Sequence, residues 1–85
     1  MLNLIPNGKI SSVADLGSVV RAQRKAADVT QAEAAGLCGV GVRFMSELER
    51  GKVTLEVGKV MQVLDRLGLQ LRISPRGVHP TVGRS

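Results

Sequence analysis

The stretch Thr30–Lys52, TQAEAAGLCGVGVRFMSELERGK, constrains the fold more than any other part of the chain. Thr30-Gln31-Ala32-Glu33 has the form of a capping box. The threonine hydroxyl takes an orphan amide of the first turn, and the Glu33 carboxylate reaches back to the cap. Ala34, Ala35 and Cys38 face inward along the helix so opened, and the two alanines let another helix approach closely. Gly39 suits the left-handed residue that ends such a helix, and Val40 plugs the corner from inside. A second short helix runs from about Gly41 to Arg50. Phe44, Met45 and Leu48 are its apolar face, and Gly51 stops it.

Two short helices across a tight glycine-bearing corner is the layout of a helix-turn-helix, whose second helix enters the DNA major groove. Size and composition fit that layout. With 85 residues the chain makes one small domain with a thin margin of core burial. The lone cysteine, Cys38, rules out a disulfide network, so tight helix packing or a core shared with another chain must supply stability. Phe44 is the only aromatic residue, which argues against base-stacking modes of single-strand or RNA binding. A formal charge of +5 leans toward polyanionic partners. A single Cys fits a reducing, cytoplasmic setting. No apolar run is long enough to span a bilayer, and the start, MLNLIPNGKI, lacks the apolar stretch of a secretion signal.

Around this unit the chain divides into an arm (1–11), a helical domain (12–69), a strand (70–74) and a tail (75–85). In the arm, Leu2, Leu4 and Ile5 precede the turn signal Pro6-Asn7-Gly8. Helix 1 begins near Ser12, with Asp15 as the acid of a shortened capping box, and Leu16, Val20 and Ala27 form its buried stripe. Thr54 caps the fourth helix, whose stripe is Val57, Val60, Met61, Leu64 and Leu67, and Gly68 ends it. Leu69, Leu71 and Ile73 then alternate with Gln70, Arg72 and Ser74, the period of a strand. A lone strand needs a partner for its edges. The candidates are the Leu2–Ile5 arm, the same strand of a second copy, or another protein. The tail, RGVHPTVGRS, is polar and rich in Gly and Pro.

From Leu16 to Leu69 the chain resembles the XRE, or phage-repressor-like, helix-turn-helix family, an all-α fold of four or five helices similar to lambda repressor. Arg24, Thr30-Gln31, Glu33, Ala35, Gly39-Val40, Ser46 and Glu49-Arg50-Gly51-Lys52 carry the match with spacing kept. The four-helix layout followed by LGLQLRIS looks most like HipB-type antitoxins. That resemblance implies a homodimer paired through C-terminal strands (Leu69, Leu71, Arg72, Ile73), binding to a palindromic double-stranded operator, and a HipA-like kinase toxin as partner. A controller of a restriction system or a phage switch shares the same DNA chemistry. A mainly protein-interacting, toxin-neutralising module is a further reading.

The family resemblance places Val42, Arg43 and Glu47 toward base edges, and Ser46 is a further candidate, for a base or a phosphate. Arg43 is able to clamp guanine bidentately, and Val42 to touch a thymine methyl. Glu47 either accepts from cytosine or pairs with Arg43 one turn away. A plain solvated helix face is the bland alternative. Thr30, Gln31, Gly41, Arg50 and Lys52 are candidates for phosphate contacts, since helix N-termini present free amides to phosphate. Gln31 equally reads as an exposed capping-turn residue, and Arg50 and Lys52 as cations suited to a helix C-terminus. Arg24 and Glu49 match a structural salt bridge between helix 1 and the end of helix 3. Two departures from the family stand out. Gly41 lacks the usual Ser or Thr hydroxyl, and Gly36 inside helix 2 weakens it by up to about 1 kcal/mol. Cys38 and His79 match no metal pattern, no cofactor-cradling loop is present, and no nucleophile, base and orienting group converge as in an enzyme.

Overall fold

The computed structural model describes residues 9–75 and contains four helices in that span: α1 (Val13–Ala26), α2 (Gln31–Cys38), α3 (Val42–Glu49) and α4 (Val57–Arg66). The described residues are all-α, with α2 and α3 forming the corner.

Local chemistry sets the helix ends. Ser12 accepts from the Asp15 N–H at 3.1 Å, while the Asp15 carboxylate accepts from Ser11 at 2.9 Å, one residue before the cap. At α2 the box is complete: Thr30 Oγ1 accepts from the Glu33 N–H at 3.0 Å and Glu33 Oε1 from the Thr30 N–H at 2.8 Å. All four helices terminate in the same way. The N–H groups of Val29, Val40, Lys52 and Leu69 each fold back to the carbonyl five residues earlier. The residue before each of them, Asp28, Gly39, Gly51 or Gly68, is left-handed. This is the Schellman arrangement, which satisfies orphan carbonyls. Asp28 (φ +60°) is the one non-glycine among them.

The core holds Val20, Ala34, Ala35, Cys38, Met45, Leu48, Val60, Val63 and Leu64. Leu16, Val40, Phe44 and Leu69 pack against it. Gly17 allows α1 and α3 to touch backbone to backbone, because a Cβ there would overlap the carbonyl oxygens of Leu48 and Glu49. Helix 1 is held to the end of α4 by Gln23, which donates to the Leu67 carbonyl at 3.0 Å.

Three expectations about the helices need correction. The buried stripe of α1 is Gly17, Val20 and Arg24; Ala27 is exposed, because the helix turns its inward face to α3 through a glycine and an arginine. The fourth helix starts at Val57 with Glu56 as its cap residue, not Thr54. Leu55 is drawn against the core first and leaves Thr54 outside the helix. The α4 stripe is rotated toward Val63, since α4 packs on α2, and Val57 (70%) and Met61 (47%) stay exposed. For the expected strand over 70–74, residues 69–75 show no regular secondary structure among the described residues. A strand is defined by its ladder, and no ladder partner lies among the described residues. The Leu2–Ile5 arm, the Pro6-Asn7-Gly8 turn, the tail after Pro75 and His79 lie outside the described residues.

Candidate DNA-recognition surface

The corner presents α3 to solvent because only its opposite face, Met45 and Leu48, is buried. Gly41 precedes the helix in an extended conformation and makes no side-chain cap, as its missing hydroxyl requires. Val42 follows, 51% exposed. The Arg43 side chain is 88% exposed, and its Nε donates to Glu47 Oε2 at 3.2 Å. Lys52 Nζ reaches the same oxygen at 3.3 Å. Glu47 is therefore clasped between two cations. The Arg43 hydrogen bond, with Lys52 behind it, holds its carboxyl below the ordinary glutamate range. A carboxylate so engaged orients Arg43 and offsets its own repulsion of a polyanion. Arg50 Nη1 donates to Ser46 Oγ at 2.9 Å, which lays the arginine along the outside of α3.

Beneath this face lies a buried ion pair. Arg24 Nε and Nη2 donate to Glu49 Oε2 and Oε1 at 2.6 and 3.0 Å, and Arg24 Nη1 donates to the Val29 carbonyl at 2.8 Å. The side chains are 10% and 3% exposed. Gln31 Nε2 adds a hydrogen bond to Glu49 Oε1 at 3.0 Å, so its amide nitrogen points inward. Burial pushes the Glu49 carboxyl up. The hydrogen bonds from Arg24 and Gln31, with the charges of Arg24 and Arg21, outweigh that and leave it lowered. Arg24 is raised by the same hydrogen bond against the cost of its burial. The pair joins α1, the first residue of α2 and the last of α3.

Sequence reasoning missed Arg21. It lies one turn before Arg24 on α1 and, with Gln31, Ser46, Glu49 and Arg50, lines a small polar pocket. Its signal was the i, i+3 spacing from Arg24, the spacing of neighbours on one helix face. Glu49 at this pocket is already matched by Arg24, which leaves the charges of Arg21 and Arg50 uncancelled there. Thr30 has both its hydroxyl and its N–H committed to the capping box. Away from α3, Leu69 packs on the core, Leu71 is 41% and Ile73 90% exposed, and Arg72 is exposed. An open, mainly apolar groove runs beside them, lined by Ile10, Leu16, Val19, Leu64, Leu69 and Leu71 together with the polar Lys9, Gln70, Arg72 and Ser74. Among the described residues no cluster of His, Cys, Asp and Glu is able to hold a metal ion, and no helix is long and apolar enough to cross a membrane.

Four helices, a glycine corner and an exposed second helix braced from α1 define a helix-turn-helix protein. Residues 15–72 match the family described as "Helix-turn-helix domain", and the chain belongs to it. A relative in Sinorhizobium fredii (strain NBRC 101917 / NGR234), the uncharacterized HTH-type transcriptional regulator y4mF, is 46% identical over 69 residues, covering 81% of this chain and 91% of the relative. Among solved structures, a chain of the HipA-HipB-O2-O3 complex superposes with a TM-score of 0.72 at 22% identity, over 81% of this chain and 97% of that one. The restriction-modification controller protein C.AhdI from Aeromonas hydrophila superposes at 0.60 with 21% identity, over 68% and 84%. At these identities the two structures speak for the fold.

Proposed function

We propose that this protein is a sequence-specific, double-stranded-DNA-binding transcriptional repressor that works as a homodimer. More narrowly, it is the antitoxin of a HipBA-like operon, repressing its own promoter and neutralising a HipA-like kinase toxin in the cytoplasm. The observation that carries the DNA reading is the exposed α3 face. Arg43 stands out from it, held by Glu47, whose same oxygen also pairs with Lys52, over a helix pair locked by Arg24, Glu49 and Gln31. In this reading Val42, Arg43 and Ser46 face base edges and Glu47 positions Arg43. The backbone N–H groups opening α2 at Gln31, with Arg21, Gly41, Arg50 and Lys52, take phosphates. The relative's description as an HTH-type transcriptional regulator supports regulation. The likeness to a chain of a HipA-HipB complex supports the antitoxin assignment.

The exposed Leu71 and Ile73 beside an apolar groove favour pairing of the 69–73 segments of two copies. Two copies would meet operator half-sites about one helical turn, ~34–36 Å, apart. The same apolar surface favours a second reading, in which toxin binding is the main task and DNA binding regulates it. The C.AhdI likeness keeps a restriction-system controller in view. A pull-down of the tagged protein, followed by gel shift on the DNA upstream of its own gene, tests these together. Capture of a kinase encoded next door, with tighter binding to that DNA than to random duplex at physiological salt, is the expected result. Equal binding to both duplexes would end the repressor reading. An Arg43 variant that lost DNA but still neutralised the toxin would separate the two tasks.

A further inference from the structure

Helix α2 has only eight residues, so its free C-terminal carbonyls are a large share of its hydrogen-bonding groups. Its Schellman end uses two of them: Gly39 N–H donates to Gly36 and Val40 N–H to Ala35. The next three carbonyls are met from α4. Gln62 Nε2 donates to Cys38 at 2.6 Å and more loosely to Gly39 at 3.4 Å, and Arg66 Nη1 donates to Leu37 at 3.3 Å. Gly39 is tied to this contact twice. Its φ of +72° is left-handed, and a Cβ on it would come within 2.9 Å of Gln62 Nε2.

From these contacts we infer that Gln62, seconded by Arg66, is a positioning residue for DNA reading. It clamps the corner from α4 and thereby sets the direction in which α3 leaves it. Of the corner residues between α2 and α3, Gly39 and Gly41 carry no side chain and Val40 packs on the core, so the turn itself has Val40 and backbone hydrogen bonds, while beyond it α3 is anchored by buried Met45 and Leu48 and by the Gln31–Glu49 bond. Only two residues separate Gly39 from the first residue of α3, and a small rotation at the turn is carried along the whole reading face. The same helix α4 ends at Arg66 and passes through the left-handed Gly68 into the Leu69–Ile73 segment, so whatever that segment binds is mechanically joined to the corner through Gln62. The inference rests on the DNA-binding reading of α3, and its test has one arm that needs no DNA.

The variant Gln62→Met keeps the length of the side chain and removes the donor. Hydrogen exchange is measured on the free protein. The amides of Val40 and of the first turn of α3 are expected to exchange faster relative to those of α1. Binding is then measured with the duplex selected by the parent protein from a randomised pool and with random duplex. The preferred-over-random ratio is expected to fall by about 3- to 30-fold, the usual range for residues that couple without touching the ligand. Binding to random duplex, governed by phosphate contacts, should hold. A fully folded variant with parental exchange at the corner and a ratio within about twofold of the parent (0.4 kcal/mol) would show that Gln62 only stabilises α2, and the inference would fall. Altered exchange with a parent that selects no sequence would sink the DNA reading and the positioning role with it, while leaving the clamp. Where Gln62→Met does not fold, Arg66→Gln, which removes the longer and more exposed bond, is read in the same two ways with a smaller expected loss.

Discussion

Arg43 and Glu49 show how two charged residues six positions apart serve different ends. Arg43 is almost wholly exposed and held only by a surface carboxylate, an arrangement worth little to stability. Arg43→Ala should therefore leave the melting temperature nearly unchanged while weakening binding to the preferred duplex by about 1–3 kcal/mol. A loss equally large on random duplex would show that it is not a base reader. Arg21 belongs to the opposite type of contact. Arg21→Gln should weaken binding to all duplexes alike and reduce the slope of log K against log salt by about 0.9, as for one phosphate; an unchanged slope would remove it from the interface. Glu49 acts inside the fold. Its carboxyl is lowered on folding, so its contribution is complete above the unfolded value near ~4.3 and is lost as pH falls below that through the folded value. Glu49→Gln leaves Arg24 buried without its counter-charge and should cost about 3–5 kcal/mol at neutral pH. The variant's stability should also fall less steeply than the parent's as pH drops below the unfolded value of ~4.3. Parallel acid limbs in denaturant titrations would contradict that assignment.

The helices are short, and each depends on its ends and neighbours more than on propensity. Helix α2 carries Gly36 in its middle, exposed and with nothing within 4 Å of a Cβ built there. Gly36→Ala should stabilise the protein by about 1 kcal/mol, a rise of roughly 4–8 °C in the melting temperature for a domain of this size. DNA affinity should not change. No rise by calorimetry would contradict the helix-propensity argument at position 36. The glycine at position 17 has the opposite logic. It sits where α1 and α3 meet through backbone, so any side chain would push the recognition helix off the helix that braces it.

At the scale of the molecule, a core of nine residues and a segment ending in exposed Leu71 and Ile73 leave the domain open on one side. A second copy closing that side would bury Ile73 and give residues 69–73 a ladder that none of the described residues supplies. The double variant Leu71→Asp/Ile73→Asp should be monomeric in light scattering at concentrations where the parent is a dimer. It should also lose the two-half-site affinity while keeping the folded helices. A parent that is itself monomeric at micromolar concentration and above would refute pairing through this segment.

Much of this was legible in the chain because the signals are local. The Thr30–Glu33 box, the stops at Gly39, Gly51 and Gly68, and the inward Ala34, Ala35 and Cys38 follow from contacts within a few residues, and the structure contains each of them. The family resemblance brought Arg24 and Glu49 together across 25 positions; spacing alone does not. What the sequence could not reveal was where one helix leans on another. The rotation of α4 that exposes Val57 and Met61, the glycine contact at position 17, and the capping of α2 by Gln62 and Arg66 all depend on inter-helix packing. A hydrophobic period of 3.6 leaves the angle of a stripe uncertain by a residue, and only a neighbour's surface resolves it. Sequence by itself thus determined that two short helices meet at a glycine corner. Tertiary structure decided which face of each is buried, because burial belongs to pairs of elements and not to one.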